Sequence, residues 1–357
     1  MNDLTAAPEA PSAPALQYDG KLSPIARMWA GNLLLFLLTL SFYRFWGRTR
    51  IRQYVWNHIA IFGDRLEYTG TGKELCIGFL ITLPIYGLLV LISKLTNEDI
   101  TLVPILFLGY FAVFSGYRYR VTRTSWRAIR SHFPLANSNN YSLFCLKRAF
   151  YNFITAGLLI PKSDVLKWQA LVKNFSIGNI QAEYDATAKG LMTPHIFSAL
   201  IGGAVYGFIF GSLFGISEFF MKNHEFTSEE ERRNTLFGFT ILALLVASPA
   251  FYVIRQWYTG ALVRRKFSGI RLGSVSTSCH FTVRRYMGFK LVNMLILIFT
   301  LGLGGAFILH RKARFFCRYI TFNGQPDAIM IQQMTEDKTT FAEGFMDAFG
   351  IDLAFLS

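Results

Sequence analysis

The residues best suited by type to do chemistry are two glutamates that occur in the same short motif. Glu67 and Glu183 each open the pattern Glu-Tyr-x-x-Thr-x-Lys. Two carboxylates brought together by an internal symmetry could act as a general acid and a general base. A motif that directly precedes an apolar helix more often caps the start of that helix, so capping is the favoured interpretation. The motif residues are Glu67, Tyr68, Thr71 and Lys73, and then Glu183, Tyr184, Thr187 and Lys189.

The cysteines and histidines show no pattern typical of a metal site or an activated nucleophile. There is no CxxC pair and no cluster of Cys with His. The chain also lacks the motifs of zinc proteases, serine hydrolases and phosphate-binding loops. We therefore predict no catalytic residue, no metal, no cofactor and no enzymatic activity. The residues in question are Cys76, Cys145, Cys279 and Cys317, and the isolated His58, His132, His280 and His310.

Three basic clusters could contact anionic lipid headgroups. In one of them, spacings of three, four and three residues predict a stripe along one helix face. A basic residue near a membrane surface contributes about 1 kcal/mol to lipid binding. The rule that basic loops stay in the cytoplasm explains the same clusters without a specific ligand, and it is the favoured interpretation. The clusters are Arg48, Arg50 and Arg52; Arg120, Arg123, Arg127 and Arg130; and Arg264, Arg265 and Lys266.

The composition of the chain is that of a membrane protein. Of its 357 residues, 52% are hydrophobic and 16% are charged, against about 25% charged residues in a soluble domain. The net charge is +14, and the basic residues lie between apolar blocks. This distribution indicates an integral membrane protein whose partner is the bilayer, and it excludes a disordered chain and argues against a nucleic-acid-binding module.

Seven apolar segments fall into two classes. Four are close to the ~20 residues that a crossing helix needs, and we predict membrane spans at 75–93, 100–117, 194–219 and 236–254. Three are weaker, at 26–43, 149–160 and 287–309, and each contains a break after a threonine. The breaks are Thr39-Leu40-Ser41, Thr155-Ala156-Gly157 and Thr300-Leu301-Gly302.

Charge distribution separates two topologies. If only the four strong segments cross, 32 of the 36 basic residues lie on one side and 4 on the other. If all seven segments cross, the two sides hold 14 and 21 basic residues, and Lys290 lies within a span. The first arrangement agrees with the basic-inside rule, and it places both termini in the cytoplasm and the three weak segments in re-entrant or interfacial positions. Seven tilted spans remain the alternative.

The predicted fold class is therefore an all-α polytopic membrane protein, with minor cytoplasmic β pieces near 65–68 and 266–271. Gly203, Gly207, Gly211 and Gly215 recur every four residues and predict a flat face for close helix packing. Lys290 is the single candidate for a charge deep within a weak segment, and we expect it to extend to the interface. The strong spans carry no charge at their centres, which argues against ion-coupled transport.

The chain also contains an internal duplication. In both copies the Glu-Tyr motif follows a basic cluster and a weak segment, and it directly precedes two strong spans. A third weak segment opens a partial copy, because Asn293 and Thr300 have the spacing of Asn32 and Thr39. We predict a disordered tail at 1–17, repeat units at 18–130 and 131–271, a partial unit at 272–330 and a C-terminal cytoplasmic segment at 331–357.

These residues resemble the YjgN family of bacterial inner-membrane proteins. The resemblance covers nearly everything after the tail, although the family often has Pro-Trp where Arg44-Phe45-Trp46 and Ala306-Phe307 stand here. It implies a multi-spanning bacterial inner-membrane protein of unknown function, with no catalytic residues to transfer. The matching stretches are residues 32–40, 43–50, 68–75, 292–295 and 300–302, with Arg311.

Two functional hypotheses follow. The first is a non-enzymatic membrane protein that binds anionic lipid, or passes a small or amphipathic molecule without ion coupling. The second is a scaffold that recruits another membrane protein through its basic cytoplasmic surface and the face formed by Gly203, Gly207, Gly211 and Gly215.

Overall fold

The computed structural model describes residues 15–40, 42–96, 102–224, 226 and 228–324. The predicted C-terminal segment 331–357, nearly all of the predicted tail 1–17 and part of the outer loop at 94–99 lie outside the described residues. The tail prediction extends too far, because Leu16–Tyr18 forms the first strand.

The centre of the fold is a ring of ten short antiparallel strands, which we call the strand ring. Each strand pairs with the next in chain order, and the two edge strands contact each other, so the sheet is a nearly closed barrel. This finding corrects the all-α prediction, because the described chain is mostly helical but its strands form one sheet and not minor β pieces. The strands are β1 (Leu16–Tyr18), β2 (Ile59–Ile61), β3 (Asp64–Tyr68), β4 (Thr124–Trp126), β5 (Ile129–His132), β6 (Ser176–Ile177), β7 (Ile180–Tyr184), β8 (Ile270–Leu272), β9 (Val275–Cys279) and β10 (Ile320–Asn323).

Alternating side chains and tight turns explain why these residues form strands. In β3 and β8, for example, Leu66, Ile270 and Leu272 face the inside of the ring and polar neighbours face outward. Phe62-Gly63 joins β2 to β3, and both residues have positive φ angles, of 52° and 89°. Such two-residue turns match the twist of antiparallel strands.

In the part of the chain that the structure describes, five helical hairpins extend from the strand ring, each inserted between an odd strand and the following even strand. Because all neighbouring strands are antiparallel, all five hairpins leave from the same rim of the strand ring, which we call the helix rim. The tight turns that join one strand–helix–helix–strand unit to the next lie at the opposite rim, which we call the turn rim. The helices are α1 (Leu22–Leu38), α2 (Arg44–Asn57), α3 (Gly72–Thr96), α4 (Leu102–Thr122), α5 (Ser138–Ile154), α6 (Ile160–Val172), α7 (Met192–Asn223), α8 (Glu229–Phe267), α9 (Val283–Phe299) and α10 (Gly305–Tyr319).

Three helices of the described part are long and apolar enough to cross a membrane: Gly72–Leu95, Met192–Asn223 and Glu229–Phe267. They include three of the four predicted spans. The fourth predicted span, 100–117, begins outside the described residues, and α4 is not among the three helices. The last turns of α4 carry Arg118 and Arg120, which are buried in the protein, so this end of the helix is not an apolar membrane segment.

The three weak segments belong to three short hairpins, α1–α2, α5–α6 and α9–α10. Each first helix has 17 residues, about 25 Å, which is less than the ~30 Å of a hydrocarbon core. The hydroxyl of Thr300 donates to the Ile296 carbonyl at 2.7 Å and accepts the Gly304 N–H at 2.8 Å, and Thr39 and Thr155 make the same pair of bonds. Both ends of each hairpin return to the helix rim, which contradicts the alternative of seven crossing helices.

No described part of this chain packs against the glycine face on α7, and its predicted role in close helix packing stays a prediction. A Cβ added at Gly203, Gly207, Gly211 or Gly215 would meet no described atom within 4 Å. The helix α7 instead packs on α8 through a neighbouring face, where a Cβ on Gly202 would lie 3.1 Å from the ring of Phe251. The glycine face is therefore an exposed surface of the described chain.

The strand–helix–helix–strand order occurs five times along the described chain. The grouping of these units into repeats 18–130, 131–271 and 272–330 stays a prediction. Its limits at 130 and 271 fall inside β5 and β8.

Candidate ligand cavity in the strand ring

The strand ring encloses an apolar cavity of about 350 Å³. All ten strands contribute at least one side chain to its wall. Ile61, Trp126 and Leu272 are typical wall residues on the strands, and Phe267 and Phe316 close it from the helix rim. The volume lies within the range of about 300–1,000 Å³ that is usual for small-molecule sites. The cavity is therefore large enough for a ligand, and its lining favours an apolar one.

Two arginines place positive charge on this apolar wall. Arg52 of α2 is 2% exposed, and Arg120 of α4 is 8% exposed. Arg52 donates a hydrogen bond from Nη1 to the Tyr68 hydroxyl at 2.8 Å, and Arg120 donates one from Nε to the Gly116 carbonyl at 3.0 Å. Charges in such a low-dielectric wall interact more strongly with an anion than they would in water. The cavity wall thus combines apolar side chains with two buried guanidinium groups.

Aromatic side chains narrow the cavity at the turn rim. The Phe62 ring lies 5.8 Å from the ring of Phe322 and 6.5 Å from that of Trp126. Phe62 holds a φ of 52°, which a bulky residue rarely adopts because its Cβ crowds the backbone. Its position in the tight turn after β2 therefore directs the ring toward the cavity mouth at some cost in backbone strain.

The cysteines of this region are poor nucleophiles. Burial raises the pKa of Cys279 to about 11 and the pKa of Cys317, which lines the cavity, to about 12. The reactive form of cysteine is the thiolate, and both side chains hold their proton at neutral pH. Among the described residues, no three His, Cys, Asp or Glu side chains come together in a group that could bind a metal ion.

The basic stripe predicted along one helix face is wrong. The helix α4 ends at Thr122, so Arg127 lies in a tight turn and Arg130 in β5. Of the other two members, Arg123 pairs with Glu74 at 2.9 Å and Arg120 lines the cavity. Sequence reasoning failed here because a helical spacing can also be produced by a helix end, a turn and a strand in succession.

The other predicted basic residues have separate environments. Arg50 and Arg264 are exposed, Arg48 is half-buried and Arg52 is buried. Arg265 donates to the Lys189 carbonyl at 2.7 Å, and the Lys266 ammonium lies 5.3 Å from the ring of Trp168. A role of these residues in headgroup binding stays a prediction.

The repeated motif does not form a carboxylate pair. Glu67 lies on β3 and Glu183 on β7, with three strands between them, and both side chains are exposed. Thr71 and Glu74 instead cap the start of the helix. The Thr71 backbone N–H donates to the Glu74 carboxylate at 3.3 Å, and the Glu74 backbone N–H donates to the Thr71 hydroxyl at 3.3 Å. Lys73, Thr187 and Lys189 are exposed, whereas Tyr68 and Tyr184 are buried in the ring.

Sequence reasoning missed a buried polar network at the base of α7 and α8. Arg255 donates to Ser198 Oγ and to His195 Nδ1, both at 2.9 Å. A guanidinium only donates, so Nδ1 accepts and the proton of His195 is on Nε2, which donates to the Gly157 carbonyl at 3.1 Å. The available signal was the position of Arg255 directly after the predicted span 236–254.

A second pair of residues extends this network. The Tyr258 hydroxyl donates to Asp164 of α6 at 2.7 Å, and the Arg255 guanidinium lies 4.6 Å from the Tyr258 ring. The network therefore joins the short hairpin α5–α6, through Gly157 and Asp164, to the long helices α7 and α8. Its geometry is that of a structural connection between hairpins.

Comparison with known proteins identifies a family and nothing more specific. The family model described as bacterial protein of unknown function (DUF898) matches residues 13–348. No curated protein and no solved structure matches the chain.

Proposed function

The chain belongs to this bacterial family of unknown function, and we propose that it is a multi-pass inner-membrane protein whose strand ring holds the hydrocarbon chain of an anionic amphiphile. The cavity is the observation that carries the proposal. Its wall is apolar over almost the whole ring, and Arg52 and Arg120 supply positive charge beside it. In this proposal the protein binds or passes the amphiphile without ion coupling and without chemical conversion.

The distribution of positive charge supports the placement of the protein in the membrane. The strand ring, the short hairpins and the bases of the long hairpins hold nearly all of the described basic residues, whereas the far ends of the long hairpins hold Lys94, Lys222, Arg232 and Arg233. The basic-inside rule then places the strand ring and both termini on the cytoplasmic side. The helix rim faces the bilayer, the long hairpins cross it, and α4 crosses it beside α3.

The tips of the short hairpins support a re-entrant position. Leu40, Phe153 and Leu301 are 85%, 84% and 90% exposed. A loop in hydrocarbon is tolerated only if its backbone polar groups find partners, and the turn threonines provide such partners. We propose that all three tips lie inside the bilayer without reaching its other face.

Cavity filling tests the ligand proposal. Ser131 of β5 lines the cavity, and Ser278 of β9 is a matched serine on the exposed outer face. A photoactivatable fatty acid with a diazirine in its chain should cross-link to cavity-lining peptides of the protein in nanodiscs. We expect Ser131→Phe to reduce these cross-links at least tenfold because the ring occupies the ligand volume, and Ser278→Phe to leave them unchanged.

The corresponding fatty alcohol controls for charge and should label the cavity several-fold less than the acid. Equal labelling by acid and alcohol would contradict the role of the two arginines. Cross-links confined to the outer surfaces of α3, α7 and α8 would contradict the cavity proposal altogether.

Single-cysteine accessibility tests the topology. We expect Lys173→Cys to react with a membrane-impermeant maleimide from the cytoplasmic side and His224→Cys from the opposite side. Leu301→Cys should react from neither side because the tip is surrounded by lipid. The measurement compares intact cells with inverted vesicles, and the unsubstituted chain gives the background. External labelling at Lys173→Cys would contradict the proposed topology.

The scaffold hypothesis is the second candidate. It is favoured by the exposed glycine face on α7, which has no partner within the described chain. Cross-linking to one stoichiometric membrane protein, abolished by bulky substitutions at Gly207 and Gly211, would support it.

A further inference from the structure

Lys290 is a buried ammonium in the interface between α8 and α9. The residue is 6% exposed, and its Nζ lies 5.4 Å from the centre of the Tyr286 ring. The side chain therefore packs inside the protein instead of along an exposed helix surface, and its predicted extension to the membrane interface stays a prediction. Among the described residues, no carboxylate hydrogen-bonds or ion-pairs with it, and Lys266 of α8 adds a second positive charge close enough to act on it. An ionisable group buried at membrane depth without an opposite charge points to a ligand.

Two buried polar atoms without hydrogen-bond partners in the described structure belong to residues on the same face of α9 as this ammonium. Tyr286 and Asn293 lie one turn before and one turn after Lys290 on the same face of α9. The Tyr286 hydroxyl and the Asn293 Nδ2 are both buried, and neither has a hydrogen-bond partner in the described structure. The other amide atom of Asn293, its Oδ1, accepts a bond from Arg311 Nε of α10 at 2.9 Å, which brings a further positive charge to this face.

The facing helix adds an acceptor. A Cβ on Gly260 of α8 would lie 2.9 Å from the Tyr286 ring, so α8 and α9 are in close contact here. One turn earlier on α8, Gln256 is buried, and its Oε1 also has no partner in the described structure. A phosphodiester that carries a hydroxyl-bearing headgroup would satisfy both sets of atoms: its oxygens accept from the donors, and its hydroxyl donates to Gln256.

We propose that Lys290, Tyr286, Asn293 and Gln256 form a binding site for the headgroup of an anionic phospholipid in the interface between α8 and α9. Lys290 is the eighth residue of α9, about 10 Å along the helix from the helix rim. In the proposed topology this depth corresponds to the boundary between headgroups and acyl chains. The site is separate from the cavity, so it does not depend on a ligand in the strand ring.

Titration of the full-length protein in detergent with phosphatidylglycerol, followed by native mass spectrometry, tests this site. We expect one phosphatidylglycerol to bind at least tenfold more tightly than phosphatidylcholine. Lys290→Met should remove most of this preference, and Lys173→Met, which changes an exposed lysine at the end of α6, should keep it. Tyr286→Phe keeps the ring packing and removes only the hydroxyl, so it tests the site even if Lys290→Met fails to fold; we expect it to weaken phosphatidylglycerol binding two- to fivefold.

Two results would overturn the proposal. One is unchanged phosphatidylglycerol preference in both Lys290→Met and Tyr286→Phe. The other is displacement of the bound lipid by millimolar inorganic phosphate together with equal thermal stabilisation by phosphate alone, because that would identify a site for a free anion. Failure of the cavity cross-linking leaves this result unaffected, so the two proposals can be judged separately.

Discussion

Replacing Gly72 by alanine is expected to lower the free energy of unfolding by roughly 1–3 kcal/mol, the usual cost of overpacking. The added Cβ would lie 2.7 Å from the Cα and 2.8 Å from the backbone N of Trp46. Backbone atoms cannot rotate away as a flexible side chain can, so α2 and α3 must separate. Because Gly72 is the first residue of α3, the substitution should weaken the packing between the hairpin α1–α2 and the hairpin α3–α4.

Gly203→Ala is the matched control, because its added Cβ meets no described atom within 4 Å. Alanine is favoured over glycine in a helix by about 1 kcal/mol, so this variant should be as stable as the parent or more stable. Thermal unfolding of both variants in the same detergent measures the difference. Equal destabilisation would mean that α7 uses its glycine face for packing against another chain.

Arg255→Met is the second change with a large expected effect. It removes the donors to His195 and Ser198 and leaves the histidine Nδ1 without its partner. Removal of one member of a charged hydrogen-bond network costs roughly 3 kcal/mol. Because His195 also donates a hydrogen bond to the Gly157 carbonyl, the short hairpin α5–α6 should detach locally from α7 and α8.

Hydrogen exchange is the measurement that distinguishes this effect from general loosening. We expect amides of residues 155–160 to exchange faster in Arg255→Met, with little change near Thr39 and Thr300. Arg264→Met is the control in the same helix, since Arg264 is exposed and should tolerate the change within about 0.5 kcal/mol. Uniformly faster exchange over the whole chain would contradict a local role of the network.

Local features of the chain could be predicted because their causes are local. Long apolar runs identify α3, α7 and α8, since a run of this length has few alternatives to a helix in lipid. The threonine breaks identify the turns of the short hairpins, because a hydroxyl at that position bonds the backbone groups that the helix end leaves unpaired. Leu40 and Leu301 lie at these turns and are exposed.

The strand ring could not be predicted in the same way. Its strands have only 2–5 residues each, too few for an alternating pattern to stand out from the helices around them. Strand pairing also joins residues far apart in sequence: Glu67 lies opposite Ser125, and Glu183 opposite Arg271. The predicted extended piece at 65–68 lies in β3, whereas the one at 266–271 begins in the last turn of α8 and reaches β8 only at 270–271. The number of strands and the closure of the ring required the whole chain.

The sequence by itself determined where apolar helices form and where they break, because hydrophobicity and backbone capping act on each segment separately. Only the tertiary structure decided which environment and which partner each charged side chain has. Arg120 and Arg127 share a spacing rule in sequence, yet one lines an apolar cavity and the other pairs with Asp64 in a tight turn. Burial depends on which distant strands and helices close around a side chain, and no local pattern records that.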